Sequence, residues 1–436
     1  MTCKEEVKKK GKKKGLKIFG IVMAVLILAI GVCVSITYIG VASNQKFAEN
    51  IQTVQFAEAE QPNPTFNEEL GYWEFNNIDR EFRVMQLTDV HIGGGFMSIQ
   101  KDNWALNAVA TLVERTKPDL VIVTGDICFP VPFMAGTFNN LPSLKMFATM
   151  MENLGVYWTF AFGNHDTEIY SFYNREDISE YFEEKIESGE YKYCLYTNSF
   201  SGTVNKLVCD GVEKNYEGLE AEAGFGNTII NIRNSKKEIT QSLVILDSHS
   251  YEKGFYRDYD HIHECQIDWY TNEINKLNKI NKSMLGVTED VMTVKSLAFF
   301  HIPLEEYKDS FKEWVDNDKK DTANVKYEYG VMGEPLDGPW VCCGVTSDNM
   351  FETMLALGST QGVFAGHDHL NNYSLWYNGG SGDKYIRLTY GMSIDYLAYS
   401  GIAKKTAQRG CTIITINSDT TFDCYGLRLD NGEKLK

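Results

Sequence analysis

The sequence predicts an α/β protein built from parallel β-α-β units and preceded by one membrane-spanning helix. Three observations carry this. Short apolar runs alternate with amphipathic stretches of helical length, the pattern of strands and crossover helices. A charge-free apolar run near the N-terminus directly follows a block of lysines. The 436 residues are 43% hydrophobic and 23% charged, which excludes a disordered chain and permits a large core.

Residues 1–17 contain eight Lys and two Glu, leaving 34 basic against 57 acidic residues in the remainder. A body that acidic argues against binding to a nucleic-acid backbone, which needs a basic surface. Residues 18–45 carry no charge, and the apolar part, 18–42, has 25 residues. At about 1.5 Å per residue that exceeds the roughly 30 Å of a hydrocarbon core. The lysines before it predict a cytoplasmic N-terminus and a body outside the cytoplasm, at the cell membrane. A cleaved signal peptide, and hence secretion, is the competing reading. Against it, the apolar run is longer than an ordinary signal core, and Val41-Ala42-Ser43 is a mediocre cleavage site. Residues 1–17 thus read as a basic cytoplasmic tail, 18–42 as the span, 43–80 as a polar Gln/Asn/Glu-rich linker or stalk, and 81–430 as one catalytic domain. Eight cysteines fall in that body without a Cys-x-x-Cys pair, so a zinc ribbon has no support. Disulfides and buried thiols both remain open.

Along the body, 82–88 reads as a buried strand, 103–115 as a helix, 120–124 as a strand, 141–153 as a helix and 156–161 as a strand. Residues 192–197, 203–209, 228–232 and 243–247 read as strands of a second sheet, and 263–277 as a helix. Then come a strand at 296–300, a long loop over 316–340, a helix at 349–357, and strands at 362–365, 384–389 and 411–416.

The residues just beyond each apolar strand point to chemistry. The first strand runs into Asp89-Val90-His91 and the second into Gly125-Asp126. The third leads into Gly163-Asn164-His165-Asp166, another into His301, and another into Gly366-His367-Asp368-His369. A lone Asp after a strand is ordinarily a turn or cap residue, and a lone His on an apolar strand is ordinarily a core residue. Five strand ends in succession, using five of the eight histidines, are explained by no packing rule. Ligands of parallel sheets gather at those ends. Carboxylate, imidazole and amide donors without thiolates suit Mn, Fe or Zn. So many donors suit two ions sharing a carboxylate, the arrangement for in-line attack at phosphorus, with the metals about 3.5–4 Å apart.

The ordered set Asp-x-His, Gly-Asp, Gly-Asn-His-Asp, His and Gly-His-x-His resembles the calcineurin-like metallophosphoesterases over about residues 82–426. The resemblance implies a four-layer α/β/β/α sandwich and a hydroxide between two metal ions attacking a phosphate ester. It implies that Asp89, His91 and His369 hold the first ion and Asn164, His301 and His367 the second, with Asp126 bridging. His165 would stabilise the phosphoryl oxygens and protonate the leaving alkoxide, and Asp166 would hydrogen-bond His165. From the residues alone, Asp166 reads equally as a turn or helix cap. Residues 299–304 (Phe-Phe-His-Ile-Pro-Leu) and 366–371 (Gly-His-Asp-His-Leu-Asn) resemble the purple-acid-phosphatase-like branch. True purple acid phosphatases have a tyrosine where this chain has Phe129, and a glycine where this chain has His91. No tyrosinate–iron colour is therefore expected, and His91 becomes a replacement ligand.

The expected activity is that of a phosphomonoesterase. The alternatives are an extracellular phosphodiesterase or nucleotide pyrophosphatase, and a non-catalytic surface binding module. There is no Gly-x-Ser-x-Gly elbow and no P-loop, so serine-hydrolase and P-loop chemistry lack their parts. Gly93-Gly94-Gly95 reads as a flexible turn or a phosphate cradle. His249 reads as a pocket-border residue, His261 and His263 as helix-start surface residues, Gln266 and Trp269 as core, and Tyr390-Gly391 as the site rim.

Overall fold

The computed structural model describes residues 3–56, 61–200, 206–209, 212–215, 222–252, 258–333, 341–380, 382–399, 401–405 and 408–435. The chain opens with α1 (Cys3–Glu49), β1 (Pro64–Asn67), β2 (Tyr72–Phe75), β3 (Phe82–Leu87), α2 (Ile99–Thr116), β4 (Leu120–Thr124), α3 (Leu141–Leu154) and β5 (Trp158–Ala161). It continues through α4 (Arg175–Glu187), β6 (Lys206–Cys209), β7 (Val212–Asn215), β8 (Thr228–Arg233), β9 (Ile239–Ile245), α5 (Glu264–Leu285), β10 (Ser296–Phe299) and α6 (Glu305–Asp316). It closes with β11 (Val325–Tyr329), α7 (Met350–Leu357), β12 (Thr360–Ala365), β13 (Ser374–Tyr377), β14 (Ile386–Tyr390), α8 (Ile402–Lys405), β15 (Gly410–Ile416), β16 (Phe422–Arg428) and β17 (Lys434–Leu435).

Two mixed sheets form the centre. One has nine strands in the order β1-β2-β8-β9-β10-β12-β14-β13-β11, the other six in the order β17-β16-β15-β3-β4-β5. Within them β3, β4 and β5 run parallel, as do β10, β12 and β14. Strands β4, β5, β8, β9, β10 and β14 are buried along their whole length, because both faces are covered. Phe82, Val84, Ile122, Leu243, Leu297 and Phe364 fill the space between the sheets. The outer face of the six-stranded sheet packs against α2, α3 and α4 through residues such as Leu106, Phe147 and Ile178. The outer face of the nine-stranded sheet packs against α5, α6 and α7 through Trp269, Tyr307 and Met354. This is the expected four-layer α/β/β/α sandwich.

Local chemistry sets the element ends. Helix α2 stops at Lys117, left-handed at φ 45° with its N–H on the Val113 carbonyl, ahead of Pro118. Helix α3 has proline in its first turn and ends on Gly155 at φ 69°, the usual asymmetry of helix termini. Helix α4 starts with a reciprocal Asn174–Asp177 capping box.

Within 43–80, α1 continues to Glu49, and β1 and β2 extend the edge of the nine-stranded sheet. Three expectations need correction. Residues 192–197 make a single bridge, Trp158 to Cys194. The strand expected over 203–209 lies partly outside the described residues, and its described part pairs only with β7, apart from both large sheets. The loop expected over 316–340 contains β11, whose alternating burial marks a sheet edge; residues 334–340 lie outside the described residues. Helix α1 contains a long apolar segment of a length able to cross a membrane. Among the described residues the cysteines 33, 128, 194, 265, 343, 411 and 424 are free thiols.

Candidate metal centre

The carboxyl ends of β3, β4 and β5 meet those of β10, β12 and β14 across the seam between the sheets. Gln86, fully buried, spans the seam and donates to Thr124 Oγ1 and to the Ala365 carbonyl, both at 3.0 Å. The approach is close enough to demand glycine. A Cβ on Gly366 would lie 1.9 Å from Thr88 Oγ1, and one on Gly163 would lie 2.2 Å from Asp126 Oδ1. The turns leaving these strands are strained. Asp89, His91, Asp126 and His367 have φ of 50°, 54°, 55° and 77°, a region that costs a non-glycine residue of order 1–3 kcal/mol. The strain aims four side chains into one small volume.

One ligand-capable atom from each of Asp89, His91, Asp126 and His369 lies within 4.8 Å of the others. His91 Nε2 is 3.1 Å from Asp126 Oδ2, and His369 Nε2 is 3.4 Å from Asp89 Oδ1. Behind both imidazoles stands Asp395, 3.3 Å from His91 Nδ1 and 3.1 Å from His369 Nδ1. Three backbone N–H groups, of Leu397, Ala398 and Tyr399, hold the Asp395 carboxylate in place.

Asn164, His301 and His367 adjoin this group through Asp126. His301 Nε2 is 3.2 Å from Asp126 Oδ2 and 3.1 Å from Asn164 Oδ1, while its Nδ1 meets the Thr124 carbonyl at 2.8 Å. The Asn164 amide donates to the Tyr251 hydroxyl at 3.1 Å, which turns its carbonyl oxygen toward His301. His367 Nδ1 is 3.3 Å from His301 Nε2. Its Nε2 is buried with no hydrogen-bond partner.

The electrostatics reflect burial and crowding. Burial opposes charge on His91 and His301. The carboxylates of Asp395 and Asp126 beside His91, and of Asp126 beside His301, outweigh it and push these imidazoles up to about 10 and about 9. Burial would raise Asp126, but His301 and His165 hold it well below the usual carboxylate range. Burial and the neighbouring His301 hold His367 well below the usual imidazole range. A cation held by these donors would compete with protons for His91 and His301. The donor set, the unpartnered Nε2 of His367 and the glycine-lined approach to Asp126 fit a pair of metal ions.

His165 is the least buried of the group, at 24% side-chain exposure. Its backbone N–H donates to Asp126 Oδ1 at 2.8 Å, and its Nδ1 lies 2.7 Å from Glu168 Oε1. The partner expected for it, Asp166, is elsewhere. The Asp166 carboxylate accepts from the backbone N–H groups of Asp126, Cys128 and Gly163 at 3.0, 2.9 and 2.8 Å. It stitches the turn after β4 to the turn after β5, which is the capping reading, and Glu168 takes the place assigned to it. Burial and the neighbouring Asp126 raise the pKa of Asp166 above the usual carboxylate value.

Other candidates are also relocated. The N–H groups of Gly93 and Gly94 are spent on Asp102, at 2.8 and 3.0 Å, and that of Gly95 on Ser98. The turn is neither a phosphate cradle nor loose, since a Cβ on Gly95 would lie 2.1 Å from the Ala135 carbonyl. Tyr390 is buried beneath the His367–His369 turn, donating to Asp368, not on the rim. His249 is buried against Gln266, and Gln266 and Trp269 are core residues. His263 caps α5 and pairs with Asp260, and His261 lies between Asp260 and Glu252. Phe129 packs 4.7 Å from both His91 and His165. Sequence reasoning does not reach Asp395, Glu168, Tyr251 or Tyr259, whose ring lies 4.3 Å from that of His367. Only Asp395 leaves a signal: it lies beyond β14, a sixth strand ending at the same seam.

The family model for calcineurin-like phosphoesterases matches residues 82–371. An Arabidopsis thaliana protein named "Probable inactive purple acid phosphatase 28" is 24% identical over 330 residues, covering 70% of this chain and 71% of its own. A second, "Probable inactive purple acid phosphatase 14", is 27% identical over 327 residues, covering 70% and 72%. Among solved structures, a dimetal phosphatase from Danio rerio aligns with a TM-score of 0.42 at 11% identity, over 79% of this chain and 98% of its own.

Proposed function

This chain belongs to the calcineurin-like phosphoesterase family, and we propose that it is a dinuclear metal-dependent phosphomonoesterase held at the cell membrane by α1, with its body outside the cytoplasm. The observation that carries the reading is Asp126. One of its carboxylate oxygens lies 3.1 Å from an imidazole of one residue set and 3.2 Å from an imidazole of the other, the position of a bridging ligand. Asp89, His91 and His369 would hold one ion, and Asn164, His301 and His367 the other.

Two such ions, from among Mn, Fe and Zn, supply Lewis acidity toward the phosphoryl oxygens and a water acidic enough to attack phosphorus near neutral pH. The remaining steps belong to the chain. With Nδ1 engaged by Glu168, His165 presents Nε2 to the phosphoryl group. It donates a hydrogen bond to a non-bridging oxygen and a proton to the departing alkoxide, leaving a neutral imidazole that water reprotonates. Glu168 fixes the ring orientation. Asp166 positions the two turns that carry Asp126 and Asn164.

The names of the two plant relatives call those proteins inactive. Here a complete donor set together with a paired His165 supports catalysis. Elemental analysis of the purified protein, coupled to a panel of aryl mono- and diesters with added Mn, tests the reading. Two ions per chain and faster monoester hydrolysis are expected. A preference for diesters would redirect it to a phosphodiesterase or nucleotide pyrophosphatase. Full metal loading without hydrolysis of any ester would make it a binding module. For topology, protease shaving of intact cells is expected to release the body, and a protected body would overturn the outside placement.

A further inference from the structure

We infer that the mouth of this centre faces the lipid bilayer and takes phosphate esters carried on membrane-embedded amphiphiles. The inference rests on the phosphohydrolase reading and on α1 crossing the membrane, and it adds the substrate class.

The body has no slack relative to α1. Helix α1 leaves its apolar segment without a break and docks on α2 and α3. Thr37 Oγ1 accepts from the Phe96 N–H at 3.0 Å, Asn44 donates to the Ile99 carbonyl at 2.9 Å, and Gln45 donates to Thr149 at 2.9 Å. Asn153 donates to the Ala48 carbonyl at 2.8 Å. Gly40 lets the helix press onto Ile99, where a Cβ would meet the side chain at 2.2 Å. The helix therefore dictates which face of the body looks at the membrane, and at what height.

That height can be counted. Twenty residues from Ile18, at about 1.5 Å each, span the roughly 30 Å of hydrocarbon and end at Thr37, where the body makes the hydrogen bond from Phe96. An apolar groove of about 530 Å³ extends from this level toward the bilayer, between Leu26, Ile30 and Val34 of α1, which fall within the counted span, and Phe96 and Pro142 of the body. Among the described residues outside α1, the three most exposed large apolar side chains are Ile169, Phe133 and Phe172, at 94%, 89% and 66%. All three lie on two touching loops beside that groove. The Phe172 N–H donates to the Phe138 carbonyl at 3.1 Å, and the two rings stack at 6.5 Å. Gly136, Thr137 and Asn139 of the same loop line the groove.

Apolar side chains clustered in this way are costly in water and favourable at the headgroup–acyl boundary. The same two loops also flank His165: one begins at Phe129, 4.7 Å from its ring, and the other carries Glu168, its hydrogen-bond partner. The group that would protonate the leaving alkoxide thus stands beside the surface that would enter the membrane. A leaving group attached to an acyl chain can remain in the bilayer while its phosphate reaches the metals.

The test uses the full chain in lipid nanodiscs. Two phosphate monoesters with the same headgroup are compared, one on a long acyl chain in the bilayer and one short and water-soluble. Phe133→Ser, Ile169→Ser and Phe172→Ser are each expected to lower the bilayer-to-soluble ratio of kcat/KM, and together by at least about tenfold. Separately, the added fluorescence of Ile169→Trp and Phe133→Trp is expected to be quenched by lipids brominated near the headgroup end of the acyl chain. An unchanged ratio, or added fluorescence that brominated lipids leave untouched, overturns the inference. Absence of hydrolysis of either ester by the metal-loaded parent strikes the phosphohydrolase reading instead, while quenching still reports whether the loops enter the bilayer.

Discussion

The two halves of the proposed metal centre are built from similar residue types and differ in what stands behind them. Asp89, His91 and His369 are backed by Asp395, which engages both imidazoles and is itself held by three backbone N–H groups. Asn164, His301 and His367 are backed by neutral groups: the Thr124 carbonyl behind His301 and the Tyr251 hydroxyl behind Asn164. Both halves share Asp126, but the first adds two carboxylates of its own. A carboxylate behind an imidazole raises its basicity and fixes its ring. The first half is therefore pinned and anionic, suited to the more highly charged or more tightly held ion. The second, with neutral donors, is suited to an ion that exchanges more readily.

The harshest way to break the comparison is to remove what the halves share. Asp126→Asn is expected to lower turnover by about a thousandfold or more and to lower metal content in both halves. Rate measurement with elemental analysis on the same sample checks it, and retention of two ions would remove Asp126 from the bridging role. His165→Ala acts above both halves. It is expected to reduce kcat by about 10²- to 10⁴-fold with two ions still bound. Loss of an ion in this variant would make His165 a ligand.

The halves are unequally legible in the sequence for a physical reason. Asp89, His91, Asp126, Asn164, His301, His367 and His369 each come within a few residues of an apolar strand's end, so strand periodicity indexes them. Asp395 stands five residues beyond β14 with no glycine or histidine beside it, and Glu168 sits in an irregular turn. Partners of ligands are chosen by distance in space, which periodicity does not encode. The docking face of α1 is hidden for a similar reason. Gly40 in the apolar run and Asn44 and Ala48 in the polar linker are buried, spaced by four on one face of α1, where small and amide residues admit α2 and α3 rather than an apolar stripe. In β11, Val325 and Tyr329 are buried while Lys326 and Glu328 are exposed; a two-residue alternation is present, but its charged positions suggest a loop.

Asp395→Asn separates the halves directly. The amide keeps the shape but withdraws the charge behind His91 and His369. Affinity for one ion is expected to fall by about 10- to 100-fold while the other is retained. Titration of the metal-free protein with Mn, followed calorimetrically, should then change from one tight and one weaker event to two events of comparable, weaker affinity. Equal weakening of both would mean that the halves act as one unit.

The smallest expected effect concerns the element that follows His301. Helix α6 begins four residues after it and carries Glu306 in its first turn. Burial, then the nearby carboxylates of Glu352, Asp348 and Asp309, push the Glu306 carboxyl up to about 8 from an ordinary 4.5. A group raised in the folded state contributes its stability in full below its unfolded pKa and loses it as pH rises through the folded value. The wild-type protein should therefore weaken between about pH 4.5 and pH 8, where the unfolded chain releases this proton and the folded one retains it. Glu306→Gln cannot ionise. Its Tm should gain on the wild type across that window. If the Asn164–His301–His367 half is the softer one, its ion should also be the first released as the wild type is taken above about pH 8, with Glu306→Gln retaining it longer. Parallel melting and metal-release curves at about pH 5, 7 and 9 decide this, and coincident curves for the two proteins would show that α6 does not set the stability of that half.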